Sequence, residues 1–428
     1  MSGPESSTVE SLDEARRRTG ACGTLRGFLP PLTGRQALVA AVAAAVILAG
    51  VFSADAAPYV PADDAQVLER LPTAGNQNLR ELRRLHADLA RNPGDLALAI
   101  RVATQDIEAA RAESDPRYNG YAEAALGPWI ALPSPPNAVL LLRATLRQAM
   151  HDFHGALEDL NRAISADPRN LQARLTRATI LQVEGEYPDA LKNCFSLALF
   201  ADNLVTTTCI ASVNGLNGHA QASREALQDA FDHAGADESP QLRLWALTIL
   251  AEIDARAGDG VAAERHFRQA LALGLRDGYL LGAYADFLLD AGRPQEVLAL
   301  LQNESRIDAL LLRLALAEQM LGTRALPHHI FELSERFQMS RLRGDTSHQR
   351  EEARFTLHLL KRVPEALWLA EANWSVQHEP WDARTLLEAA LAAGDSIAAR
   401  PVLEWLRTSQ LEDNQIRRLA VRLREVPQ

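Results

Sequence analysis

The chain has 428 residues, of which 47% are hydrophobic and 5% aromatic, with 44 Lys and Arg against 55 Asp and Glu. This composition is too apolar for a disordered chain and too polar for a chain that lies mostly in a membrane. The net charge of -11 argues against a general nucleic-acid binder, which needs a basic face to neutralise phosphates. The length predicts either roughly two to four compact domains or one elongated repeat array.

The first element is an apolar segment at residues 37–53, with Arg35 before it and Asp55 after it. This charge order is expected of a segment that enters a membrane from the cytoplasm. The segment is short for a spanning helix, which needs about 20 residues, and small residues allow signal cleavage after Ala56. A cleaved signal peptide, a retained membrane anchor and a buried soluble helix therefore remain open. Under the first two interpretations we expect the array in the periplasm, or membrane-anchored in the cell envelope, of a bacterium.

Beyond this segment the apolar residues recur at helical spacing, with Gly, Asp, Asn or Pro at the end of each stretch. Residues 138–170 and 171–203 align without gaps, which indicates a repeat of about 34 residues. The unit resembles the tetratricopeptide repeat (TPR), a helix-turn-helix unit with a small residue in the middle of its first helix. That position is held by Ala144, Ala178, Ala211, Ala251, Ala285, Ala315, Ala353 and, less regularly, Leu387.

Two other positions recur in the same frame. Glycines mark the turn between the two helices of a unit, at Gly185, Gly218, Gly258, Gly292, Gly322 and Gly394. Small residues begin the second helix, at Ala156, Ala190, Ala263, Ala366 and Ala399, with Val297 as a departure. Small side chains suit this place because two antiparallel helices cross closely there. In the less regular stretch at 94–136, Gly120 and Tyr121 resemble such a turn.

The resemblance implies an all-α fold, a right-handed superhelical solenoid of antiparallel helix pairs that is preceded by one hydrophobic N-terminal helix. The expected order is a leader or cytoplasmic tail at 1–36, the apolar segment at 37–53, a linker and first helix at 57–93, an irregular repeat at 94–136, a TPR-like array at 137–408 and a capping helix at 409–428. The last helix carries Arg417, Arg418, Arg422 and Arg424. These charges suit a polar cap at the open end of the stack.

In TPR proteins the first helices line a concave groove for a bound peptide. The resemblance therefore implies a groove lined by Leu141, Thr145, Gln148, Leu175, Thr179, Gln182, Thr208, Ser212, Trp245, Thr248, Glu252, Tyr279 and Asp286. These positions lack the Lys and Asn clamp with which chaperone-binding members hold a peptide carboxylate. Trp245 and Tyr279 are either aromatic anchors for a partner segment or rings that fill the seam between hairpins, and both interpretations remain open.

The cysteines form one candidate pair. Cys194 lies on the second helix of one repeat and Cys209 on the first helix of the next, so antiparallel packing brings them level. In an oxidising periplasm these two could form a disulfide, and the alternative is a pair of small buried thiols. The sequence leaves both states open.

Motifs for catalysis or phosphate binding are missing, since the chain contains no Gly-x-Gly-x-x-Gly, Gly-Lys-Ser/Thr or Gly-x-Ser-x-Gly. His151 and His154 need further ligands before they could bind zinc. We therefore expect a protein without catalytic residues, cofactor or bound metal, which does not bind nucleic acid. The expected function is a non-catalytic scaffold of the bacterial cell envelope that binds a protein partner in its groove to assist assembly, export or maturation. A self-associating structural or regulatory subunit and an accessory factor in envelope polysaccharide export remain alternatives.

Overall fold

The computed structural model describes residues 77–425 except 114, 236 and 343. The described residues form twenty α-helices and no strand, as the all-α prediction requires. The apolar segment at 37–53 lies outside them, and with it the choice between a cleaved signal and a retained anchor. Among the helices that are described, none is both long enough and apolar enough to cross a membrane.

Helix α1 (Gln77–Arg91) precedes nine helix pairs, and helix α20 (Asn414–Arg424) follows them in the described chain. The pairs are α2 (Leu96–Glu113) with α3 (Arg117–Ile130), α4 (Asn137–Ala149) with α5 (Phe153–Ala166), α6 (Leu171–Val183) with α7 (Tyr187–Leu197), α8 (Asn203–Asn214) with α9 (Ala220–Asp232), α10 (Pro240–Ala257) with α11 (Gly260–Ala272), α12 (Gly278–Asp290) with α13 (Pro294–Leu301), α14 (Asp308–Leu321) with α15 (Leu326–Leu342), α16 (Gln349–His358) with α17 (Val363–Trp374), and α18 (Pro380–Ala393) with α19 (Arg400–Ser409). Gly120 lies inside α3, so the interpretation of Gly120 and Tyr121 as a turn was wrong.

Local sequence explains where many of these helices begin and end. The side chains of Asp152, Asn170, Ser239 and Asp259 each accept a hydrogen bond from a backbone N–H three residues later, which satisfies a donor that the helix itself leaves unpaired. At the other end, α10 stops at Gly258, whose φ of 88° only glycine adopts without strain.

The repeat frame is confirmed by burial. All eight mid-helix residues, from Ala144 to Leu387, are at most 2% exposed, and each lies on the first helix of a pair. The residues near the start of the second helices, including Val297, are 0% exposed. A larger side chain at either position would therefore push the two helices of a pair apart.

The first helices of successive pairs form one continuous layer. Each packs against the first helix of the next pair, from α2 through α18, and α20 continues this layer after α18. Each second helix packs against its partner, and most also pack against the first helix of the following pair. This is the packing of a TPR-like solenoid, while its right-handed twist stays a prediction.

The C-terminal helices return to the middle of the array. Helix α20 packs against α18 and also against α10, and its Ile416 and Leu423 join one hydrophobic cluster with Cys194, Leu216 and Trp374. The C-terminal helix therefore lies in the inner layer rather than at an open end. The physical reason is that α20 has a buried apolar face, with Ile416 and Leu423 each 1% exposed.

Three neighbouring hairpin turns hold the C-terminal part of the chain. After α6, the carbonyl oxygen of Val183 accepts a hydrogen bond from His378 N at 2.7 Å. Before α9, Ala220 N donates to Glu412 Oε2 at 2.9 Å. After α10, the carbonyl oxygen of Ala257 accepts from Asn414 Nδ2 at 2.7 Å.

Candidate functional site

The return of the C-terminal helices leaves a cavity of about 680 Å³ on the inner face of the array. Its wall consists mainly of first-helix residues from α6, α8, α10, α12, α14, α16 and α18, with Asp413 and Gln415 at the start of α20. The cavity therefore lies where the TPR resemblance places a groove. The walls that α16 to α20 supply make it more enclosed than an open groove would be.

Five of the predicted groove residues line this cavity, namely Gln182, Ser212, Glu252, Tyr279 and Asp286. Thr208 and Thr248 are buried, and their hydroxyls donate to the carbonyl oxygens of Leu204 at 2.6 Å and Leu244 at 2.8 Å. These two threonines face the helix packing rather than the cavity.

The remaining predicted residues lie elsewhere on the first helices. Leu141, Thr145 and Gln148 lie on α4, Leu175 and Thr179 on α6, and Trp245 on α10, and none of them belongs to the cavity wall. Trp245 is half-buried and packs against the hydrophobic cluster of α6 to α8 and α16 to α20. The structure thus places Trp245 in a packing seam and Tyr279 in the cavity.

Tyr279 and Glu252 form a pair on the wall between α12 and α10. Tyr279 Oη donates a hydrogen bond to Glu252 Oε1 at 2.7 Å, and the residue keeps 61% of its surface exposed. Burial raises the pKa of Glu252, and the charge of Arg256 and the hydrogen bond from Tyr279 offset this only in part. Although the residue as a whole is 61% exposed, burial around its hydroxyl and the charge of Glu252 raise the pKa of the phenol well above its ordinary value, so the hydroxyl is a neutral donor.

Asp286 lies deeper, where three first helices meet. Arg313 of α14 donates to its Oδ2 at 2.6 Å, and Arg354 of α16 donates to its Oδ1 at 2.8 Å. Burial alone would raise the pKa of this carboxyl, but the two guanidiniums outweigh burial and lower it. Asp286 is therefore an ionised group that fixes the positions of α12, α14 and α16.

Arg350 gathers acidic groups at the start of α18. It donates to Glu379 Oε2 at 3.0 Å, to Glu351 Oε1 at 3.2 Å and to Asp382 Oδ1 at 3.4 Å. Burial raises the pKa of Glu379 to about 7, which Arg350 offsets in part. In contrast, Arg350 and two other arginines outweigh burial and hold the pKa of Glu351 at about 2. One guanidinium is thus shared among three carboxyls.

Trp381 gives the wall an aromatic surface beside these ions. The guanidinium carbons of Arg354 and Arg384 lie 4.1 and 4.4 Å from the ring centroid, which is cation–π distance. Arg384 also binds Asp290 through two hydrogen bonds of 2.6 and 2.7 Å. The arginines near this ring are therefore already paired.

The sequence prediction missed the wall residues of α14, α16 and α18, including Arg313, Arg350, Glu379, Trp381 and Arg384. The groove assignment ended at Asp286, although the repeat frame continued to Ala315 and the TPR signature weakened only after Gly322. One signal was available, since Arg313 interrupts an apolar run, and a buried charge in such a run needs a partner.

Cys194 and Cys209 are joined by a disulfide between α7 and α8, with their Cα atoms 5.4 Å apart. Both are buried in the cluster that α16 to α20 share with α6 to α8. In the part of the chain that the structure covers, no group of three or more His, Cys, Asp or Glu side chains is arranged to hold a metal ion. His151 instead stacks on Phe153, and His154 pairs with Glu158.

The repeat frame and the paired helices define a TPR-like repeat protein with an internal cavity. No protein-family model and no curated protein matches the chain.

Three solved structures illustrate what the fold is similar to. A tetratricopeptide repeat protein from Parabacteroides merdae is 15% identical and matches over 73% of this chain and 99% of its own, with a TM-score of 0.33. The APC/C hetero-tetramer Cut9–Hcn1 is 15% identical over 73% of this chain and 52% of its own, with a TM-score of 0.35. The human IFIT1 dimer with PPP-AAAA is 14% identical over 82% of this chain and 87% of its own, with a TM-score of 0.41. The likeness extends to the class of fold alone.

Proposed function

We propose that this protein is a non-catalytic interaction scaffold that binds a segment of a partner protein in the cavity of its inner layer. The observation that carries this proposal is the cavity itself, which is lined by Gln182, Ser212, Glu252, Tyr279 and Asp286 at positions where TPR proteins hold their ligands. Its volume of about 680 Å³ lies within the range of pockets that bury most of a drug-sized ligand, which is room for one or two side chains of a partner segment.

The cavity wall is held rigidly, which favours binding. Asp286, Arg313 and Arg354 are each at most 6% exposed and join three wall helices. A wall of this kind loses little conformational freedom when a ligand enters, so more of the contact energy contributes to affinity.

A binding role rather than a catalytic one is supported by the partners of the charged groups. Asp286 and Asp290 are held by arginines, and Asp277 accepts from the backbone of α12 as its N-cap. These contacts are structural, and they give Asp277, Asp286 and Asp290 no role as general bases. The wall also contains no Ser or Cys that is hydrogen-bonded to a His within the described residues.

The proposal also places the array in the bacterial cell envelope, where it would assist assembly, export or maturation of the partner. Support comes from the apolar segment at 37–53 with its flanking charges. The Cys194–Cys209 disulfide supports the same location, because such bonds persist in oxidising compartments.

Site-specific photocrosslinking in the native host tests the proposal. The photoreactive residue p-benzoylphenylalanine replaces Tyr279, which keeps an aromatic ring in the cavity. A control places it at Val261, which is the second residue of α11, the second helix of its pair, and is 81% exposed. We expect one defined crosslinked partner from position 279 and none from position 261. Crosslinks only to a second copy of this chain, or the same products from both positions, would overturn the proposal.

A further inference from the structure

The cavity wall contains more carboxyl groups than guanidiniums, seven acidic residues against five arginines. Two of the acids are used within their own helices. Asp277 Oδ1 accepts from Leu280 N at 2.8 Å, and Asp413 Oδ1 accepts from Ile416 N at 2.9 Å. Their charge is thereby partly balanced by the positive end of a helix.

Three further acids are balanced by arginine. Asp286 binds Arg313 and Arg354, Asp290 binds Arg384, and Glu351 binds Arg350. The acids that remain are Glu252 and Glu379.

The positive groups next to Glu252 and Glu379 do not fully balance the charge of these two carboxylates. Glu252 accepts one hydrogen bond, from the neutral Tyr279 hydroxyl, and no Arg or Lys of the described chain forms an ion pair with it. The charge of Arg256, four residues further along α10, lowers the pKa of Glu252 but does not outweigh burial. Glu379 has Arg350, but that guanidinium also binds Glu351 and Asp382.

The two carboxyls also act on one another. The charge of Glu252 contributes to the raised pKa of Glu379, and the charge of Glu379 contributes to the raised pKa of Tyr279. Glu252, Glu379 and Tyr279 line the same cavity, and Tyr279 Oη is hydrogen-bonded to Glu252 Oε1 at 2.7 Å, so a positive group placed there would be attracted by both carboxylates. Of the five wall arginines, Arg313, Arg350 and Arg384 are already paired with acids, and the charge of Arg256 acts on Glu252 itself.

On the basis of the proposed function, we infer that the partner segment carries a basic side chain, lysine or arginine, whose cationic group is bound by Glu252 and Glu379 beside the ring of Tyr279. The exposed face of Tyr279 adds cation–π attraction to that of the two carboxylates. The net charge of -11 on the whole chain also favours the approach of a basic partner.

The test is isothermal titration calorimetry, in which the purified full-length protein is titrated with each of five probes. Four are blocked peptides Gly-Ser-X-Ser-Gly in which X is Arg, Lys, Gln or Glu, and the fifth is free n-butylguanidinium, a singly charged guanidinium compound without a peptide backbone. We expect the Arg and Lys peptides to bind at least tenfold more tightly than the Gln and Glu peptides. Equal affinities for the four peptides, or no binding of any probe, would overturn the inference. Butylguanidinium binding as tightly as the Arg peptide would overturn the assignment to a protein segment.

Two variants locate the effect. Glu252→Gln is expected to reduce the affinity ratio of the Arg peptide to the Gln peptide by at least tenfold. The control is Glu186→Gln, the same change at an exposed carboxylate outside the cavity, and it is expected to leave this ratio unchanged. Tyr279→Leu removes a ring that is 61% exposed, so it tests the site even if Glu252→Gln disturbs folding. An unchanged preference in both cavity variants would contradict the inference. The proposed function is judged separately, by the crosslink from position 279.

Discussion

Arg354 donates a hydrogen bond to Asp286 at 2.8 Å although 68 residues separate them, and both side chains are buried. Arg313, from a third helix, donates to the other oxygen of the same carboxylate. The carboxylate therefore joins α12, α14 and α16 in one buried ionic cluster.

The first prediction concerns this cluster. Asp286→Asn leaves two buried guanidiniums without their counter-ion, which is expected to lower the free energy of unfolding by about 3–5 kcal/mol. Urea unfolding followed by circular dichroism measures the loss. The control, Asp189→Asn, removes a carboxylate that pairs with Lys192 on the surface, and we expect no measurable change. A similar, small effect in both variants would mean that Asp286 does not hold the three helices.

A second prediction tests the contact between α10 and the C-terminal segment. Gly258 and Gly292 both have positive φ, 88° and 69°, so alanine at either place is expected to cost about 1 kcal/mol in backbone strain. A Cβ at Gly258 would also lie 2.8 Å from Asn414 Nδ2, whereas a Cβ at Gly292 meets nothing within 4 Å. Gly258→Ala should therefore destabilise the protein by about 0.5–1.5 kcal/mol more than Gly292→Ala, because Asn414 must give up its hydrogen bond to Ala257. Equal losses in urea unfolding would argue against this contact.

The third prediction concerns the disulfide. Cys194 and Cys209 are 15 residues apart in sequence, so reduction is expected to lower the free energy of unfolding by about 3 kcal/mol through the added freedom of the unfolded chain. Urea unfolding with and without dithiothreitol measures this difference. The Cys194→Ala/Cys209→Ala double variant is the control, and dithiothreitol should not alter its stability. If thiol labelling of the denatured, unreduced protein modifies both cysteines, the bridge is absent.

The fourth prediction uses the raised pKa of Glu379. Burial is the largest cause, Asp382 and Glu252 add repulsion, and Arg350 opposes them. Between the ordinary pKa of 4.5 and about 7, the folded protein holds a proton that the unfolded chain releases, so this carboxyl lowers stability as pH rises.

Glu379→Gln removes the titration and keeps an oxygen acceptor. We compare the free energy of unfolding of the variant with that of the unmodified protein at each pH. The variant's advantage is expected to be larger at about pH 8 than at about pH 5, by about 1 kcal/mol or more. Urea unfolding at both pH values gives the difference, and Glu186→Gln at an exposed site is the matched control. A pH-independent difference for Glu379→Gln would mean that its pKa is not raised.

The frame of the fold could be predicted from local features. Ala144, Ala178 and the later mid-helix residues mark close crossings that exclude larger side chains, and the six turn glycines all adopt positive φ. Such requirements act within one repeat, so they are visible in a single stretch of sequence.

The candidate site was predictable only in part. Glu252, Tyr279 and Asp286 were found because they lie in the regular repeats, and the same rule placed Trp245 with them although it packs in a seam. The TPR repeat pattern predicts which helix of each pair faces inward. It does not predict which residues of that face stay exposed to the cavity after other helices have packed against it.

The sequence by itself thus determined the helix pairs, their order and the small residues between them, because each depends on contacts within or between adjacent repeats. Only the tertiary structure decided that α16 to α20 return to α6, α8 and α10 and enclose a cavity. That outcome depends on the small rotations of all the intervening repeats added together, and on pairs such as His378 with Val183 and Asn414 with Ala257 that lie far apart in the chain.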